Sequence, residues 1–389
     1  MFLTPLFKLM QEKQASDLFF TTGAPIQIKI NGTAMPLNGQ ILDGSAVMRI
    51  ACEMMSEEQI REFETTLEMN FSYRVPEVGN FRINVFKQRG TPAMVIRYVR
   101  AEVPHVDDLR LPAVLKDLVM EKRGLILVVG ATGSGKSTTL AAMLEHRNRS
   151  KTGHILTIED PIEFIFTHKK SIVNQREVGI DTKSFENALI NAMREAPDVL
   201  MIGEIRDRKT LENALVFAQT GHLCLATLHA NNSYNALNRI ISFFPRDLRD
   251  SLLMDLSISL RCVISQRLVK SREGKLIPAV EVLLNTRHIS ELVRNGEIDQ
   301  IKEAMEKSMS PGSQTFEQAL LKLHLGNVVS LEEALANSDS PTNLSWLINN
   351  AKGHTPQEAK AKPAADSISP ERRTSASDLS EFQFNLDVV

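Results

Sequence analysis

A glycine-rich stretch with a lysine and several hydroxyls is the part of this sequence best suited to chemistry. The run GATGSGKS, residues 130–137, follows the apolar segment LILVV and has the spacing G-x-x-x-x-G-K-[ST]. Glycines let the backbone curl so that its N–H groups face phosphate oxygens, and a following helix adds the positive end of its dipole. We therefore predict a nucleotide site that binds ATP. The alternative is a glycine-rich turn without chemical meaning.

The lysine and the hydroxyls of this loop have separate predicted roles. Lys136 is placed to reach the β- and γ-phosphates, and Ser137 is placed to hold Mg²⁺. The predicted contacts to ATP are Thr132, Gly133, Ser134, Gly135, Lys136, Ser137 and Thr138.

Carboxylates follow the apolar segment HIL. Residues 157–164 read TIEDPIEF and place Glu159, Asp160 and Glu163 around a proline, where they would repel one another without a cation. Ligands of parallel sheets bind outside the carboxyl ends of the strands, where the phosphate loop also lies. We therefore expect Mg²⁺ and Lys136 to supply the positive charge. Because proline cannot continue a central strand, the chain should turn here; a solvated acidic loop is the alternative.

A further acid ends the apolar segment DVLMIGEIRD, residues 198–207. NTPases with a phosphate loop use an acid at such a position to hold Mg²⁺ and its water. Glu204 and Ser137 are therefore the predicted magnesium ligands. Asp198 begins the segment and is predicted to be a cap, because it lies at the opposite end of the strand.

Two histidines bracket a fourth apolar strand in TGHLCLATLHANNS. His229 follows the strand at the edge that carries the phosphate loop, and a catalytic hydrogen bond toward the γ-phosphate is one interpretation. The other interpretation, a polar residue satisfied at a strand end, applies to both His222 and His229. The two interpretations stay open for His229.

The elements that would position these residues fall into two groups. In the first hundred residues, IQIKI, FRINVF and AMVIRYVR alternate apolar and polar residues, which predicts a small α+β domain with an antiparallel sheet. From 125 to about 270, apolar runs alternate with helical patterns, which predicts parallel strands joined by crossover helices. The charged, proline-containing stretch at residues 101–113 is predicted to link the two groups.

Helices are predicted beyond the parallel core. Capping boxes at Thr315 with Gln318 and at Ser330 with Glu333 begin two of them, and Gly326 is placed to end the first. From about 351 the composition is too polar for a core, and we expect disorder. The final segment EFQFNLDVV alternates like a strand and is predicted to add to the sheet edge of a partner, with a frayed end as the alternative.

Composition argues against several classes of protein. Forty-five basic and 47 acidic residues leave no bulk field for a polyanion, which argues against nucleic acid as a partner. The run LILVV is far too short to cross a bilayer, and the first residues do not resemble a signal peptide, so we expect a cytoplasmic protein. Cys52, Cys224 and Cys262 are isolated in the sequence and are predicted to pack in apolar surroundings, without a disulfide or zinc.

Together these motifs resemble those of the motor ATPases of type IV pili and type II secretion, in particular the PilT/PilU retraction branch. The resemblance covers residues 1 to about 345 and rests on the phosphate loop, ILTIEDPIEF, VNQREVG at 173–179, DVLMIGEIRD and TGHLCLATLH. It implies an α/β fold in which a PAS-like α+β domain precedes a RecA-like P-loop ATPase domain with C-terminal helices. The implied boundaries are 1–100 for the PAS-like domain, 101–113 for the linker, 114–285 for the ATPase core, 286–350 for the helical region and 351–389 for a disordered tail.

The resemblance also implies an assembly and roles for individual residues. Glu163 corresponds to the glutamate that acts on the attacking water, and Glu204 to the glutamate that supports Mg²⁺. The assembly is a homohexameric ring in which the N-terminal domain packs against the ATPase domain of its neighbour. Arginines of a neighbour commonly complete such sites, and we expect Arg82 in this role because it lies on the polar face of FRINVF. A solvent-facing strand residue is the alternative for each candidate. The other candidates are Arg89, Arg97 and Arg100.

Departures from the family pattern favour one branch. The four-cysteine zinc insertion of assembly and secretion ATPases is missing, which favours pilus retraction over extension. The tail after 350, HISELVRN at 288–295 and ASDLFF at 15–20 make the chain more similar to the PilU type than to the PilT type. The resemblance then implies an accessory motor that works with a PilT-like partner ATPase and an inner-membrane platform protein, at the cytoplasmic face of the inner membrane. The alternatives are an assembly or secretion ATPase, a RecA-like nucleic-acid motor, and a scaffold that binds ATP only as a structural ligand.

Overall fold

Two β-sheets organise the part of the chain that the structure describes. The structure is a computed structural model, and it describes residues 3–30, 32–99 and 103–353. The candidate Arg100 and the strand-like segment EFQFNLDVV lie outside the described residues.

The first sheet is antiparallel. Its strands are β1 (Asp17–Thr21), β2 (Pro25–Ile30), β3 (Thr33–Ile41), β4 (Glu68–Val75), β5 (Gly79–Gln88) and β6 (Thr91–Val99), and they pair in the order β3-β2-β1-β6-β5-β4. The helices of this part are α1 (Thr4–Glu12), α2 (Gly44–Cys52) and α3 (Glu57–Thr66). On β5, Phe81, Ile83 and Val85 are buried, whereas Arg82 between them is on the other face. The predicted antiparallel α+β arrangement is confirmed.

The second sheet is apolar on both faces. Its strands are β7 (Gly124–Val129), β8 (Gly153–Glu159), β9 (Ser171–Glu177), β10 (Val199–Ile202), β11 (Leu223–Leu228), β12 (Leu260–Lys270) and β13 (Leu276–Leu284). They pair in the order β13-β12-β7-β11-β10-β8-β9, and every pair is parallel except β12 with β13. On β7, Leu125 and Leu127 belong to the core on one face, and Ile126 and Val128 to the core on the other. The predicted parallel core is confirmed.

Helices cover both faces of this sheet and continue after it. They are α4 (Val114–Val119), α5 (Lys136–Ser150), α6 (Phe185–Ala192), α7 (Arg208–Gln219), α8 (Ser233–Ser242), α9 (Arg249–Ser259), α10 (Arg287–Asn295), α11 (Ile301–Glu306), α12 (Phe316–Leu325), α13 (Leu331–Ala336) and α14 (Pro341–Gly353). The predicted capping box of Thr315 and Gln318 begins α12, and Gly326 follows its last residue, as expected.

The second predicted capping box is only half present. The hydroxyl of Ser330 caps α13 by accepting a hydrogen bond from the N–H of Glu333. The carboxylate of Glu333 does not return this bond, because it accepts from the N–H of Lys270 at the end of β12, at 2.8 Å. The prediction was therefore wrong for the glutamate, which satisfies a strand end instead of its own helix.

The cysteines have the packing role predicted for them. Cys224 and Cys262 are free thiols in the two cores of the second sheet, and burial raises the pKa of each. Cys52 is a free thiol that packs beside the core of the first sheet. Within the described ranges, no helix combines the length and the apolar character needed to cross a membrane.

Candidate active site

The loop between β7 and α5 has the backbone shape that a phosphate group requires. Gly133 and Gly135 have φ angles of 79° and 87°, in the left-handed region that favours glycine. A Cβ atom on Gly135 would lie 2.7 Å from Nε2 of Gln266, so there is no room for a side chain. Because α5 begins after Gly135 without a side-chain cap, the N–H groups of its first turn are available to an anion.

Gln266 on β12 braces this loop. Its buried side chain donates from Nε2 to the carbonyl of Ser134 at 2.8 Å and accepts at Oε1 from the hydroxyl of Thr139 at 2.6 Å. An amide suits both partners because it carries a donor and an acceptor. Sequence reasoning missed Gln266, since 132 residues separate it from Ser134 and no local pattern marks it.

The ammonium group of Lys136 lies inside the curl of the loop. Its Nζ donates to the carbonyls of Gly130 and Ala131 at 2.9 and 3.0 Å. Burial lowers the pKa of Lys136, and the charges of Glu204 and Glu163 partly offset this effect. Lys136 therefore lies among the predicted acids, as the sequence indicated.

Most of the predicted site residues meet at one cavity of about 450 Å³ beside the ends of β7, β8 and β10. Those that line it are Thr132, Gly133, Gly135, Lys136, Ser137, Thr138, Glu163, Glu204 and His229. Apolar side chains complete the wall, among them Phe164, Phe166 and Phe185. The cavity has the size and the mixed lining of a site for a small organic ligand.

Two predicted site residues, Ser134 and Arg82, do not line this cavity. Gln266 holds the carbonyl of Ser134 toward β12, and the Oγ of this serine is buried without a hydrogen-bond partner among the described residues. Arg82 lies on β5 between Ser72 and Arg97 of the adjacent strands. Its predicted role concerns the site of a neighbouring subunit and stays a prediction. Arg97 pairs within its own sheet, with Nε at 2.8 Å from the carboxylate of Asp17.

Arg206 supplies positive charge to the acids in addition to the predicted Mg²⁺ and Lys136. Its Nε donates to Oε2 of Glu204 at 2.8 Å, and its Nη1 donates to Oδ2 of Asp160 at 3.5 Å. The hydrogen bond to Glu204 raises the pKa of Arg206. The sequence does contain a signal for this contact, because GEIRD places the arginine two residues after Glu204.

His229 contacts the same glutamate from the other side. Its Nε2 lies 3.2 Å from Oε1 of Glu204. Burial, and then the charge of Lys136, lowers the pKa of His229. A hydrogen bond from His229 to a γ-phosphate stays a prediction. His222 has the strand-end role, with Nδ1 at 3.1 Å from the hydroxyl of Thr220.

The two glutamates of TIEDPIEF have different surroundings at the cavity. Glu163 is exposed, whereas Glu159 is only 7% exposed. The carboxylate of Glu159 accepts from the hydroxyl of Thr157 at 2.6 Å, from Nε2 of Gln175 at 3.3 Å and from the backbone N–H of Glu163. Burial raises the pKa of Glu159 to about 7. Glu163 can therefore meet a ligand, while Glu159 holds the backbone that carries it.

Asp198 has the predicted capping role. Its Oδ2 accepts a hydrogen bond from the N–H of His154 at 2.8 Å, at the start of β8. The Asp198 carboxylate therefore binds backbone at the edge of the sheet opposite the cavity.

The donor set at the cavity fits Mg²⁺ held together with a nucleotide. Ser137 and Glu204 offer a hydroxyl and a carboxylate oxygen, the hard donors that Mg²⁺ prefers. Mg²⁺ usually keeps several waters and takes other ligands from substrate phosphates, so few protein groups are needed. Across the described residues, no group of three or more His, Cys, Asp or Glu side chains would form a closed metal site.

Comparison with known proteins gives the same picture over most of the chain. A family model described as type II/IV secretion system protein matches residues 2–318. The chain is 48% identical to the type IV pilus ATPase PilU of Pseudomonas aeruginosa, over 88% of this chain and 90% of that protein. It is 39% identical to the type IV pilus retraction ATPase PilT of the same organism, over 88% of this chain and 99% of that protein. The crystal structure of the pilus retraction motor PilT with bound ADP matches with a TM-score of 0.82 at 41% identity, over 88% of this chain and 99% of that one.

Proposed function

Because this chain belongs to the type II/IV secretion system protein family, in its branch of PilT- and PilU-type pilus ATPases, we propose that it hydrolyses ATP to drive retraction of type IV pili. The observation that carries the proposal is that Lys136, Glu163 and Glu204 are all present and line one cavity. A scaffold that used ATP only as a structural ligand would not require the two glutamates.

The phosphate loop binds ATP in this proposal. The backbone N–H groups around Gly133 and Gly135 and the first turn of α5 donate to the phosphates. Lys136 is already oriented by the carbonyls of Gly130 and Ala131, so little side-chain freedom is lost when its charge meets a phosphate. Binding therefore depends mainly on groups that lie within one short segment.

The acids at the strand ends carry out the chemical step. Glu163 is exposed in the cavity and orients the attacking water and accepts its proton. Ser137 and Glu204 would hold Mg²⁺, which supplies charge neutralisation to the phosphates when it is bound. Arg206 donates to one oxygen of Glu204 and Nε2 of His229 lies 3.2 Å from the other, so both side chains contact this carboxylate.

We infer an accessory role in a larger assembly. The chain is more identical to PilU, at 48%, than to PilT, at 39%, which supports an accessory motor that works beside a PilT-like ATPase. We propose that it forms a homohexamer in which Arg82 completes the site of a neighbour. The ring would act on an inner-membrane platform protein at the cytoplasmic face of the pilus base.

Two measurements test this function. The purified full chain should hydrolyse ATP in the presence of Mg²⁺, and single-stranded DNA should not change the rate. A strain that lacks the chain should keep surface pili and lose twitching motility. Loss of surface pili in that strain would instead favour an assembly ATPase, and strong stimulation by DNA would favour a nucleic-acid motor.

A further inference from the structure

Gln175 on β9 holds the backbone on the C-terminal side of Glu163. Glu163 belongs to a segment that we call the catalytic loop, residues 160–166. Nε2 of Gln175 donates to the carbonyl of Phe164 at 2.8 Å, and its Oε1 accepts from the N–H of Phe166 at 2.8 Å. One side chain therefore satisfies two backbone groups of a loop that has left the sheet.

Glu177, also on β9, holds the backbone on the N-terminal side of Glu163. Its Oε2 accepts a hydrogen bond from the N–H of Ile162 at 3.2 Å. Its Oε1 accepts a second bond, at 2.8 Å, from the hydroxyl of Ser72 on β4. Glu177 is only 8% exposed. A single buried carboxylate thus connects the first sheet to the residue that precedes Glu163.

The backbone of Glu177 is itself fixed. It faces Glu159 in the register of β8 with β9, and its N–H donates to Oδ2 of Asp181 at 2.8 Å. The carboxylate therefore reaches both partners from a strand end whose backbone is hydrogen-bonded. A buried carboxylate that loses one partner is left with an unsatisfied oxygen, which costs free energy. The hydrogen bond from Ser72 therefore favours the orientation of Glu177 in which its other oxygen accepts from the N–H of Ile162.

We propose that Glu177 is a positioning residue for Glu163, and that Ser72 couples this positioning to the first sheet. The proposal rests on the ATPase function proposed above. With the hydroxyl of Ser72 on Glu177, the catalytic loop keeps Glu163 in the cavity. Displacement of β4 would release Glu177 and slow the chemical step. Nucleotide binding would persist, because Ser72 and Glu177 are not among the described residues that line the ATP cavity.

The test measures kcat for ATP hydrolysis and Kd for a non-hydrolysable ATP analogue in the full chain. Ser72→Ala should lower kcat by about 3- to 10-fold, the effect of one hydrogen bond, and leave Kd unchanged. Glu177→Ala should lower kcat by about 100-fold, since a small misplacement of a catalytic group is that costly. Ser72→Thr keeps the hydroxyl and should restore the wild-type rate.

A double variant separates coupling from two independent defects. In the Glu177→Ala background, Ser72→Ala should have no further effect on kcat, because the shared interaction is already gone. Glu177→Gln should retain most of the rate, since its amide can accept from Ile162 and donate to Ser72. The matched control is Asn70→Ala, which removes a hydrogen bond with Asn84 on the same strand pair and should leave kcat unchanged.

Three results would overturn the proposal: multiplicative effects in the double variant, an equal loss of analogue affinity and kcat, or the same loss in Asn70→Ala as in Ser72→Ala. Thermal unfolding of each variant shows whether Glu177→Ala folds. If Glu177→Ala does not fold, Ser72→Ala still tests the proposal, because Ser72 is at an exposed position. A wild-type chain that hydrolyses no ATP would refute the proposed function itself and is recognised before any variant is compared.

Discussion

The phosphate loop and the catalytic loop line the same cavity but are held in different ways. Residues 130–137 are shaped by their own backbone, with Gln266 as a brace from the neighbouring strand. Residues 160–166 are held by side chains of β9 and, through Glu177, by Ser72 on the first sheet. The difference leads us to expect that nucleotide binding depends mainly on the phosphate loop and its single brace, whereas the chemical step also depends on side chains of β9 and of the first sheet.

The largest effect should come from Glu163→Gln in the catalytic loop. An amide cannot accept the proton of the attacking water, so kcat should fall by about 10²- to 10⁴-fold. The analogue Kd should stay near the wild-type value, because the phosphate loop is unchanged. Steady-state hydrolysis and analogue titration check this prediction, and a nearly wild-type kcat would show that the acid has only a structural role.

Lys136→Ala should produce the opposite pattern in the phosphate loop. It removes the charge that meets the phosphates, and hydrogen bonds to charged groups correspond to a loss of about 10- to 100-fold in affinity. Titration with the ATP analogue measures this loss directly. An unchanged Kd would mean that Lys136 does not contact the phosphates. The phosphate loop would then not have the binding role that distinguishes it from the catalytic loop.

Gln266→Leu tests whether the brace of the phosphate loop serves binding. Leucine leaves the carbonyl of Ser134 and the hydroxyl of Thr139 without their partner, which should lower the free energy of unfolding by about 1–3 kcal/mol. The distorted loop should bind the analogue more weakly, by about 10-fold or less, and kcat at saturating ATP should change little. Urea unfolding and analogue titration provide the readouts. A large loss of kcat with normal affinity would show that Gln266 serves the chemical step and not nucleotide binding.

Glu159→Gln should have a much smaller effect on rate than Glu163→Gln. The amide oxygen can still accept from the N–H of Glu163, so kcat should fall by less than about 10-fold, the worth of one hydrogen bond. This variant is the matched control for Glu163→Gln, because both exchange a carboxylate for an amide in the same short segment. Equal losses of kcat in the two variants would mean that Glu163 has no role in the chemical step that Glu159 lacks.

Glu159→Gln should also change how stability depends on pH. The pKa of Glu159 is about 7 in the fold and has an ordinary value of 4.5. Below pH 4.5 both states keep the proton, and between pH 4.5 and 7 only the unfolded state ionises, so this group lowers the free energy of unfolding as pH rises. The variant should therefore gain stability relative to the wild type over this window, by about 3 kcal/mol at most. Urea unfolding at several pH values checks this; a constant difference would contradict it.

The two regions differ in how far the sequence reveals them. The phosphate loop could be predicted because its shape comes from glycines at fixed spacing, and the strand and helix around it follow from periodicity. The predicted role of Glu163 as the acid that acts on the attacking water came from family resemblance. The contacts that hold it could not be predicted, because Ser72 and Glu177 lie 105 residues apart and meet only when the sheets are assembled. The hydrogen bond from Arg206 to Glu204 was not predicted, although the sequence places the arginine two residues after this glutamate.

The most direct test of the separation between binding and chemistry is the identity of the nucleotide that Glu163→Gln holds. The variant is mixed with ATP and Mg²⁺, separated from free nucleotide, and denatured so that the released nucleotide can be identified and counted. Our account predicts intact ATP at an occupancy close to that of the wild type with the analogue. Bound ADP in place of ATP, or a variant without bound nucleotide, would contradict it.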